Sequence, residues 1–462
     1  MLKVPEYIFR EYDIRGIADS ELTDNTVQLI GQAYGTWLAA RGIKKITMGG
    51  DVRLSTNRIK TAAASGLIKA GINIVDIGIV STPTFYWSLH YFDLNGGIMV
   101  TGSHNPKEYN GLKVAYGKAT LWGDDIQEIL RIIENNRMIT PEIEGSLSHA
   151  DINSEYVDML VSKIKLGPRK PKIVCDSGNG TGGRYAPEFL RRIGCEVTDL
   201  FSDPDASFPH HHPDPTKREN LVSLIETVVK EGADFGVGFD GDSDRIGVVD
   251  DKGEVIWGDR LMALYWREIL QKNPGAVAIC EVKSSMALPE EILRLGGKPI
   301  WWNSGHSLVK AKMREEKALF SGEVSGHMFF ADEYFGYDDA FYAAGRLCRI
   351  ISNTGRKLSD IMKEIPLYPS TAETRYDCPD DLKSGVVEKV KDQALKEGLE
   401  TITVDGVRIV YKHGWGLVRI SNTQPVLVAR CEGRTEEALR EICTDMKRRL
   451  TEAGSPDFEW EY

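Results

Sequence analysis

A chain of 462 residues is too long for one typical core, and about three or four domains of roughly 100–150 residues are expected. Its composition, 42% hydrophobic and 27% charged, is that of a globular protein, and no apolar run approaches the roughly 18 residues of a membrane span, so a soluble protein without a membrane partner is expected. The net charge of −11 repels polyanions, so nucleic acid is not an expected partner, and a small anionic substrate must meet a local basic cluster. The start, Met1-Leu2-Lys3-Val4-Pro5-Glu6, lacks an apolar segment behind a basic one, so the cytoplasm is the expected compartment. Seven cysteines without a Cys-x-x-Cys pair read as reduced core residues.

One pattern recurs along the first three quarters of the chain: an apolar strand, a small-residue loop, an amphipathic helix and a second strand. Its copies begin at Lys45-Ile46-Thr47-Met48, Lys172-Ile173-Val174-Cys175 and Val277-Ala278-Ile279-Cys280. The second strands, at 72–77, 195–200 and 298–302, each follow a glycine able to end a helix. Short apolar strands of this kind are those of buried parallel sheets, so three α/β domains are predicted. The tail differs. Strand-like runs are expected at 371–376, 401–404, 407–411, 416–420 and 426–431, with a polar helix near 381–397. A last helix from Thr435 has Leu439, Ile442, Met446 and Leu450 on one face. Boundaries near 150, 252 and 368 give three α/β domains, 1–150, 151–252 and 253–368, and an α+β domain, 369–462.

Three loops carry the chemistry. Thr101-Gly102-Ser103-His104-Asn105-Pro106 follows the apolar Ile98-Met99-Val100, which puts the Ser103 hydroxyl at the end of a buried strand, where parallel sheets place ligands. Lys113 follows on the next strand-like run, and His104 adds a proton donor. In Gly238-Phe239-Asp240-Gly241-Asp242-Ser243-Asp244-Arg245, small residues between Asp240, Asp242 and Asp244 let three carboxylates converge, an arrangement whose repulsion calls for a hard cation such as Mg²⁺. An EF-hand is excluded, because its sixth and twelfth positions would be Arg245 and Asp251. Arg245 is either a salt-bridge partner or a substrate contact. Gly322-Glu323-Val324-Ser325-Gly326-His327 brackets a carboxylate and a hydroxyl between glycines, a set suited to sugar hydroxyls.

A fourth loop, Arg419-Ile420-Ser421-Asn422-Thr423-Gln424-Pro425 with Arg430 beyond it, gathers donors suited to a phosphate dianion. Two features are discounted. Gly178-Asn179-Gly180-Thr181-Gly182-Gly183 matches a dinucleotide fingerprint, but nothing else in the chain asks for a nicotinamide. His210-His211-His212, between Pro209 and Pro213, reads as an ordered surface loop. Trp301 and Trp302 read as apolar core.

With these motifs in order, and with Phe9-Arg10-Glu11-Tyr12-Asp13-Ile14-Arg15-Gly16 and the His-His-Pro-Asp-Pro segment, the chain resembles the α-D-phosphohexomutases, in particular the bacterial phosphomannomutase/phosphoglucomutase branch. The resemblance implies four domains around a central cleft, three similar mixed-sheet α/β domains and a C-terminal α+β domain. It implies an isomerase that interconverts hexose 1-phosphate and hexose 6-phosphate, with mannose and/or glucose as the sugar, through a phosphoserine at Ser103 and a 1,6-bisphosphate. Mg²⁺ would be held by Asp240, Asp242, Asp244 and Ser103, and a hexose 1,6-bisphosphate would act as activator. The resemblance assigns His104, Lys113 and Arg245 to the reacting phosphoryl group. It assigns Tyr12, Arg15, Lys283 and His306 to substrate contact or proton transfer, and Glu323, Ser325 and His327 to the sugar side. Arg419, Ser421, Asn422, Thr423 and Arg430 would hold the phosphate that is not reacting. Val324 departs from the Met common in the dual-specificity branch, while Thr-Gly-Ser differs from the Ser-Ala-Ser common in glucosamine mutases. A phosphoglucosamine mutase and a metal-dependent sugar phosphatase are the alternatives. A monomer or homodimer acting on small hexose phosphates is expected.

Overall fold

The computed structural model describes residues 4–421 and 425–462, so the expected phosphate contacts Asn422 and Thr423 lie outside the described residues. Contacts divide the chain into two compact units, Met1–Gly258 with Ser325–Ile361, and Asp259–Val324 with Met362–Tyr462.

In the first unit, β1 (Ile14–Ile17), β2 (Lys45–Gly50), β3 (Asn73–Ile79), β4 (Gly96–Val100), β5 (Tyr109–Tyr116), β6 (Ala119–Thr120) and β7 (Leu147–His149) form a seven-stranded sheet, ordered β1-β5-β4-β2-β3-β7 with β6 on β5. Strands β4, β2, β3 and β7 run parallel, and β5 pairs antiparallel with both β4 and β1. All five residues of β4 are buried, which is why its sequence is a continuous apolar run rather than an alternation. Thr23 caps the helix Asp24–Ala39 by accepting from the Thr26 amide at 3.3 Å, and Ser81 does the same for Thr82–Tyr91. The helices Asp24–Ala39 and Thr56–Lys69 meet backbone to backbone, since a Cβ on Gly66 would lie 2.0 Å from the Gln28 carbonyl oxygen.

A second sheet joins β8 (Lys172–Asp176), β9 (Glu196–Leu200), β10 (Phe235–Phe239), β11 (Ile246–Asp250) and β12 (Val255–Ile256) in the order β12-β11-β10-β8-β9. Here β9, β8 and β10 are parallel, and β11 and β12 antiparallel. The two sheets therefore share a feature. In each, a chemistry-bearing loop, 101–108 or 240–245, leaves the C-terminal end of a parallel strand and enters an antiparallel neighbour. Ligands of such sheets gather at that end.

The helix Ala340–Thr354 packs Phe341 edge-on against Phe239, with centroids 5.3 Å apart. Asp339 caps it through the Tyr342 amide at 2.9 Å, and its other oxygen accepts from Tyr156 and Tyr334, both at 2.6 Å.

In the second unit, Val277–Glu281 and Lys298–Trp302 pair in parallel. The tail forms a five-stranded antiparallel sheet ordered Thr374–Asp377, Val426–Gly433, Gly414–Ile420, Val407–Tyr411, Glu400–Ile402. Helices Asp380–Lys396 and Glu436–Ala453 supply Val386, Val390, Met446 and Leu450 to its core. Thr435 caps the last helix, as its sequence position suggests. The first tail strand starts later than expected, at Thr374, because the Ala372 amide bonds the Glu461 carbonyl and not the sheet. All seven cysteines are buried and free, and among the described residues no helix is long and apolar enough to cross a membrane.

Asp339 gives stability a pH signature. Burial pushes its carboxyl up to about 6, against the downward pull of the Tyr156 and Tyr334 donors, whereas an unfolded Asp titrates near 3.9. Between about pH 4 and 6 the native state retains a proton that the unfolded state has released, so stability falls as pH rises through that window. Thermal unfolding of the parent and Asp339→Asn between pH 4.5 and 7.5 should show the parent losing ground to the variant by on the order of 2–3 kcal/mol as pH rises. Parallel pH profiles would refute this reading.

Candidate active site

The two loops meet at Ser103. Its backbone has φ +48°, a left-handed conformation uncommon for residues other than glycine, held by the Thr101 hydroxyl accepting from the Ser103 amide at 2.9 Å. Ser103 Oγ donates to Asp240 Oδ2 at 2.7 Å and lies 3.1 Å from His104 Nδ1. Gly241 makes the approach feasible, since a Cβ there would stand 2.6 Å from the Ser103 carbonyl oxygen.

Asp240, Asp242 and Asp244 are all buried, with ligand oxygens within 4.8 Å of one another. Asp242 Oδ2 accepts from Thr82 at 2.6 Å, Thr101 at 3.0 Å and Lys113 Nζ at 3.1 Å, and Lys113 also donates to Asp244 Oδ2. Burial alone would depress the Lys113 ammonium, but Asp242 and Asp244 outweigh it and hold its pKa well above the usual lysine value. The ammonium pairs with Asp242 and Asp244 but not with Asp240, and the imbalance shows. Burial, then Asp244 and Asp242, push Asp240 well above the normal range. Asp244 resists burial through Lys113 and His327 and stays well below its usual value. Asp242 is also lowered, with Lys113 overcoming burial and the Asp244 charge. Asp242 Oδ1 is buried without a hydrogen-bond partner, and Asp244 Oδ1 faces only His327 Nε2, at 3.3 Å. Three converging carboxylates with an orphaned oxygen on Asp242 are a donor set that fits a hard divalent cation.

Arg245 closes this cluster. Its Nη1 is 3.4 Å from His104 Nε2, and its Nε donates to His327 Nε2 at 3.3 Å. Ser325 Oγ lies 3.3 Å from His327 Nδ1, and Asp244 Oδ1 lies 3.3 Å from His327 Nε2. Burial, then the Arg245 charge, drive the His104 pKa far down, so this imidazole is neutral. Arg15 donates to Asn105 Oδ1 at 2.9 Å and pairs with Asp13 at 2.5 Å. Tyr12 is half-buried just ahead of β1.

The second unit assembles its own polar group. Lys283 Nζ sits between Glu281 Oε1 at 3.1 Å and Glu373 Oε2 at 3.0 Å. Its pKa is raised by these two carboxylates against burial. Glu323 Oε1 accepts from the Gly305 amide at 2.7 Å, immediately before His306 opens the helix His306–Glu316. Arg419 Nε donates to Asp405 Oδ2 at 2.9 Å, and the same oxygen accepts from the Ser304 amide at 3.2 Å. Ser421 pairs its amide with the Val426 carbonyl at 3.1 Å. Arg430 Nη1 donates to the Lys283 carbonyl at 2.9 Å. Arg408 donates to the carbonyls on either side, Val282 at 2.6 Å and Ser284 at 2.7 Å. Trp301 is half-buried and not core filling: its ring stacks 4.1 Å from the Arg408 guanidinium, with Trp415 at 3.7 Å from it.

Sequence reasoning missed Arg408, Asp405, Glu281 and Glu373, because a charged residue carries no local mark of a partner elsewhere in the chain. It also misread the histidines. His211 and His212 are half-buried, His211 Nε2 bonding Asp176 at 3.1 Å and His212 Nε2 reaching the His104 carbonyl at 2.5 Å. The segment is therefore a brace for the serine loop and not a surface turn. The Gly178 fingerprint supports the neighbouring loop in the same way, with the Thr181 amide donating to the Gly241 carbonyl at 3.0 Å.

Comparison with known proteins gives the family. Four family models match in succession, described as phosphoglucomutase/phosphomannomutase alpha/beta/alpha domain I over residues 6–139, domain II over 154–253, domain III over 257–368 and the C-terminal domain over 374–449. A phosphomannomutase/phosphoglucomutase of Pseudomonas aeruginosa is 41% identical over 454 residues, covering 98% of this chain and 97% of its own. A phosphoglucomutase of Neisseria meningitidis is 39% identical over 462 residues, covering 100% of both. The crystal structure of a phosphoglucomutase/phosphomannomutase family protein from Burkholderia thailandensis superposes with a TM-score of 0.93 at 38% identity, covering 100% of each chain. Four consecutive domain matches and relatives of this similarity along the whole length establish that the chain belongs to the phosphoglucomutase/phosphomannomutase family.

Proposed function

We propose that the chain is a phosphohexomutase that interconverts hexose 1-phosphate and hexose 6-phosphate, with Ser103 as the carrier of the phosphoryl group. The observation that carries this reading is the 2.7 Å bond from Ser103 Oγ to Asp240, inside a buried cluster of three carboxylates whose ligand oxygens lie within 4.8 Å of one another. Ser103 passes its phosphoryl group to the free hydroxyl of a hexose phosphate and takes back the other phosphate of the resulting 1,6-bisphosphate. The same bisphosphate, added from outside, would charge an unphosphorylated Ser103. Mg²⁺ held by Asp240, Asp242, Asp244 and Ser103 would supply Lewis-acid stabilisation of the phosphoryl oxygens. Lys113 and Arg245 offset the roughly −1.5 to −2 charges that a phosphoserine adds. His104, neutral with Nδ1 3.1 Å from Oγ, orients Oγ through a hydrogen bond, and the proton that the attacking sugar hydroxyl loses ends on Oγ as the phosphoryl group departs and leaves it again in the reverse step.

We assign Arg15, Tyr12, Lys283, His306 and His327 to substrate contact, and Arg419, Ser421 and Arg430, with Asn422 and Thr423, to the phosphate that is not reacting. Glu323 and Ser325 read hydroxyls that remain equivalent when the bisphosphate reverses. That condition leaves C2 unread, so glucose and mannose phosphates both serve. The four segments 1–150, 151–252, 253–368 and 369–462 are read as the domains, and the family-model matches, 6–139, 154–253, 257–368 and 374–449, support boundaries near these positions. Seven free thiols support a reducing compartment such as the cytoplasm.

Ser103→Ala should lower kcat at least about 1,000-fold, and intact-mass measurement should find phosphate on the parent but not on the variant after exposure to glucose 1,6-bisphosphate. Inorganic phosphate in place of glucose 6-phosphate from glucose 1-phosphate would instead identify a phosphatase, and a strong preference for glucosamine 6-phosphate would identify a glucosamine mutase.

Millimolar Mg²⁺ should raise the melting temperature of the parent by about 2 °C or more through binding to the native state. It should leave Asp242→Asn unchanged. An equal rise in both proteins would remove the aspartates from the metal site.

A further inference from the structure

The serine loop turns its carbonyl oxygens toward side chains from elsewhere in the fold. Arg53 follows the end of β2 and is 4% exposed. Its Nη1 donates to the carbonyls of Pro106 at 2.7 Å and Tyr109 at 2.9 Å, and its Nη2 to those of Asn105 at 2.6 Å and Ser103 at 2.8 Å. Asp51 stands 3.4 Å from Arg53 Nε and accepts from the Gly102 amide at 3.0 Å. The loop fits so closely on this guanidinium that a Cβ on Gly102 would lie 2.5 Å from Arg53 Cζ. The carbonyl of His104, skipped by Arg53, takes the 2.5 Å bond from His212 Nε2. A carbonyl only accepts, so Nε2 of His212 carries the proton. His211 fixes that ring's backbone, with Nδ1 at 2.9 Å from the His212 carbonyl and Nε2 on Asp176. Phe208 of the same segment lies 5.7 Å from the Arg53 guanidinium.

Resting on the function proposed above, we propose that Arg53 and His212 are positioning residues for phosphoryl transfer. Together they hold the carbonyls of Ser103, His104, Asn105, Pro106 and Tyr109, and so keep Ser103 in its left-handed conformation with Oγ on Asp240. A neutral loop without these donors would be free to rotate carbonyl oxygens, the negative ends of the peptide dipoles, toward a phosphoserine dianion. Four carbonyls in two pairs match the planar fork of a guanidinium and not the single nitrogen of a lysine. Neither residue touches the reacting atoms, so their loss should act on the chemical step and leave ground-state substrate binding nearly intact. A displacement of about 1 Å at a reacting group costs on the order of 100-fold in rate.

The test compares Arg53→Lys, His212→Phe and His212→Gln with the full-length parent, loaded with Mg²⁺ and glucose 1,6-bisphosphate. Arg53→Lys should lower kcat on the order of 100-fold with KM within about 3-fold. His212→Phe should lower it on the order of 10-fold, and His212→Gln, which keeps a donor, should recover most of that loss. Hydrogen–deuterium exchange across residues 101–110 should quicken in Arg53→Lys and His212→Phe but not in His212→Gln. A purely structural role would lower the melting temperature while leaving kcat per folded molecule and the loop's exchange unchanged. Should Arg53→Lys fail to fold, the His212 pair decides. Parental kcat and parental exchange in His212→Phe overturn the proposal. A parent without mutase turnover would overturn the function, while the exchange comparison would still decide whether these two residues hold the loop.

Discussion

Three carboxylates buried within 4.8 Å of one another, with one lysine between them, are the constraint around which the first unit is organised. Two unit charges about 4 Å apart repel by about 4 kcal/mol at the effective dielectric of a protein. The protein's own groups relieve only part of this. Lys113 and His327 keep Asp244 ionised, Lys113 with the Thr82 hydroxyl does so for Asp242, and Asp240 is left with a pKa far above normal. The residue left holding the surplus is the one that Ser103 Oγ touches. A divalent cation would relieve all three carboxylates at once, and it would do so beside the hydroxyl proposed to carry phosphate.

The fold brings these groups together by using one solution twice. In both sheets of the first unit the functional loop joins the end of a parallel strand to an antiparallel neighbour. The two loops approach closely where Gly241, without a side chain, lies against the Ser103 carbonyl, and Gly102 in the same way admits Arg53 beneath the serine loop. Supporting contacts come from segments distant in sequence, Arg53 from the first sheet and His212 from the loop between β9 and β10. In the second unit arginines play the corresponding part, with Arg408 and Arg430 holding the three carbonyls around Lys283.

Much of this was legible in the residues. The strands at Lys45, Lys172 and Val277 begin where their apolar runs begin, and Thr435 caps the last helix. Ser103, Lys113, Asp240, Asp242, Asp244 and Arg245, which stand out in the sequence as small-residue loops and alternating carboxylates, lie together in the structure. The histidine segment was misread, since prolines on both sides of three histidines look like a surface turn whether or not a loop of another domain lies above them. Trp301 was misread for a similar reason: its apolar surface is evident locally, but the guanidinium it covers arrives from the tail.

The sequence by itself determined the periodicities, the caps, the strand-end loops and the kinds of chemistry those loops can hold, all of which depend on residues within a few positions of one another. Only the tertiary structure decided which carboxylate keeps a proton, which guanidinium supports a loop, and which oxygens remain without a donor. Those outcomes depend on burial and on partners 50 to 137 residues away, and desolvation and Coulomb energies have no value until the chain has folded.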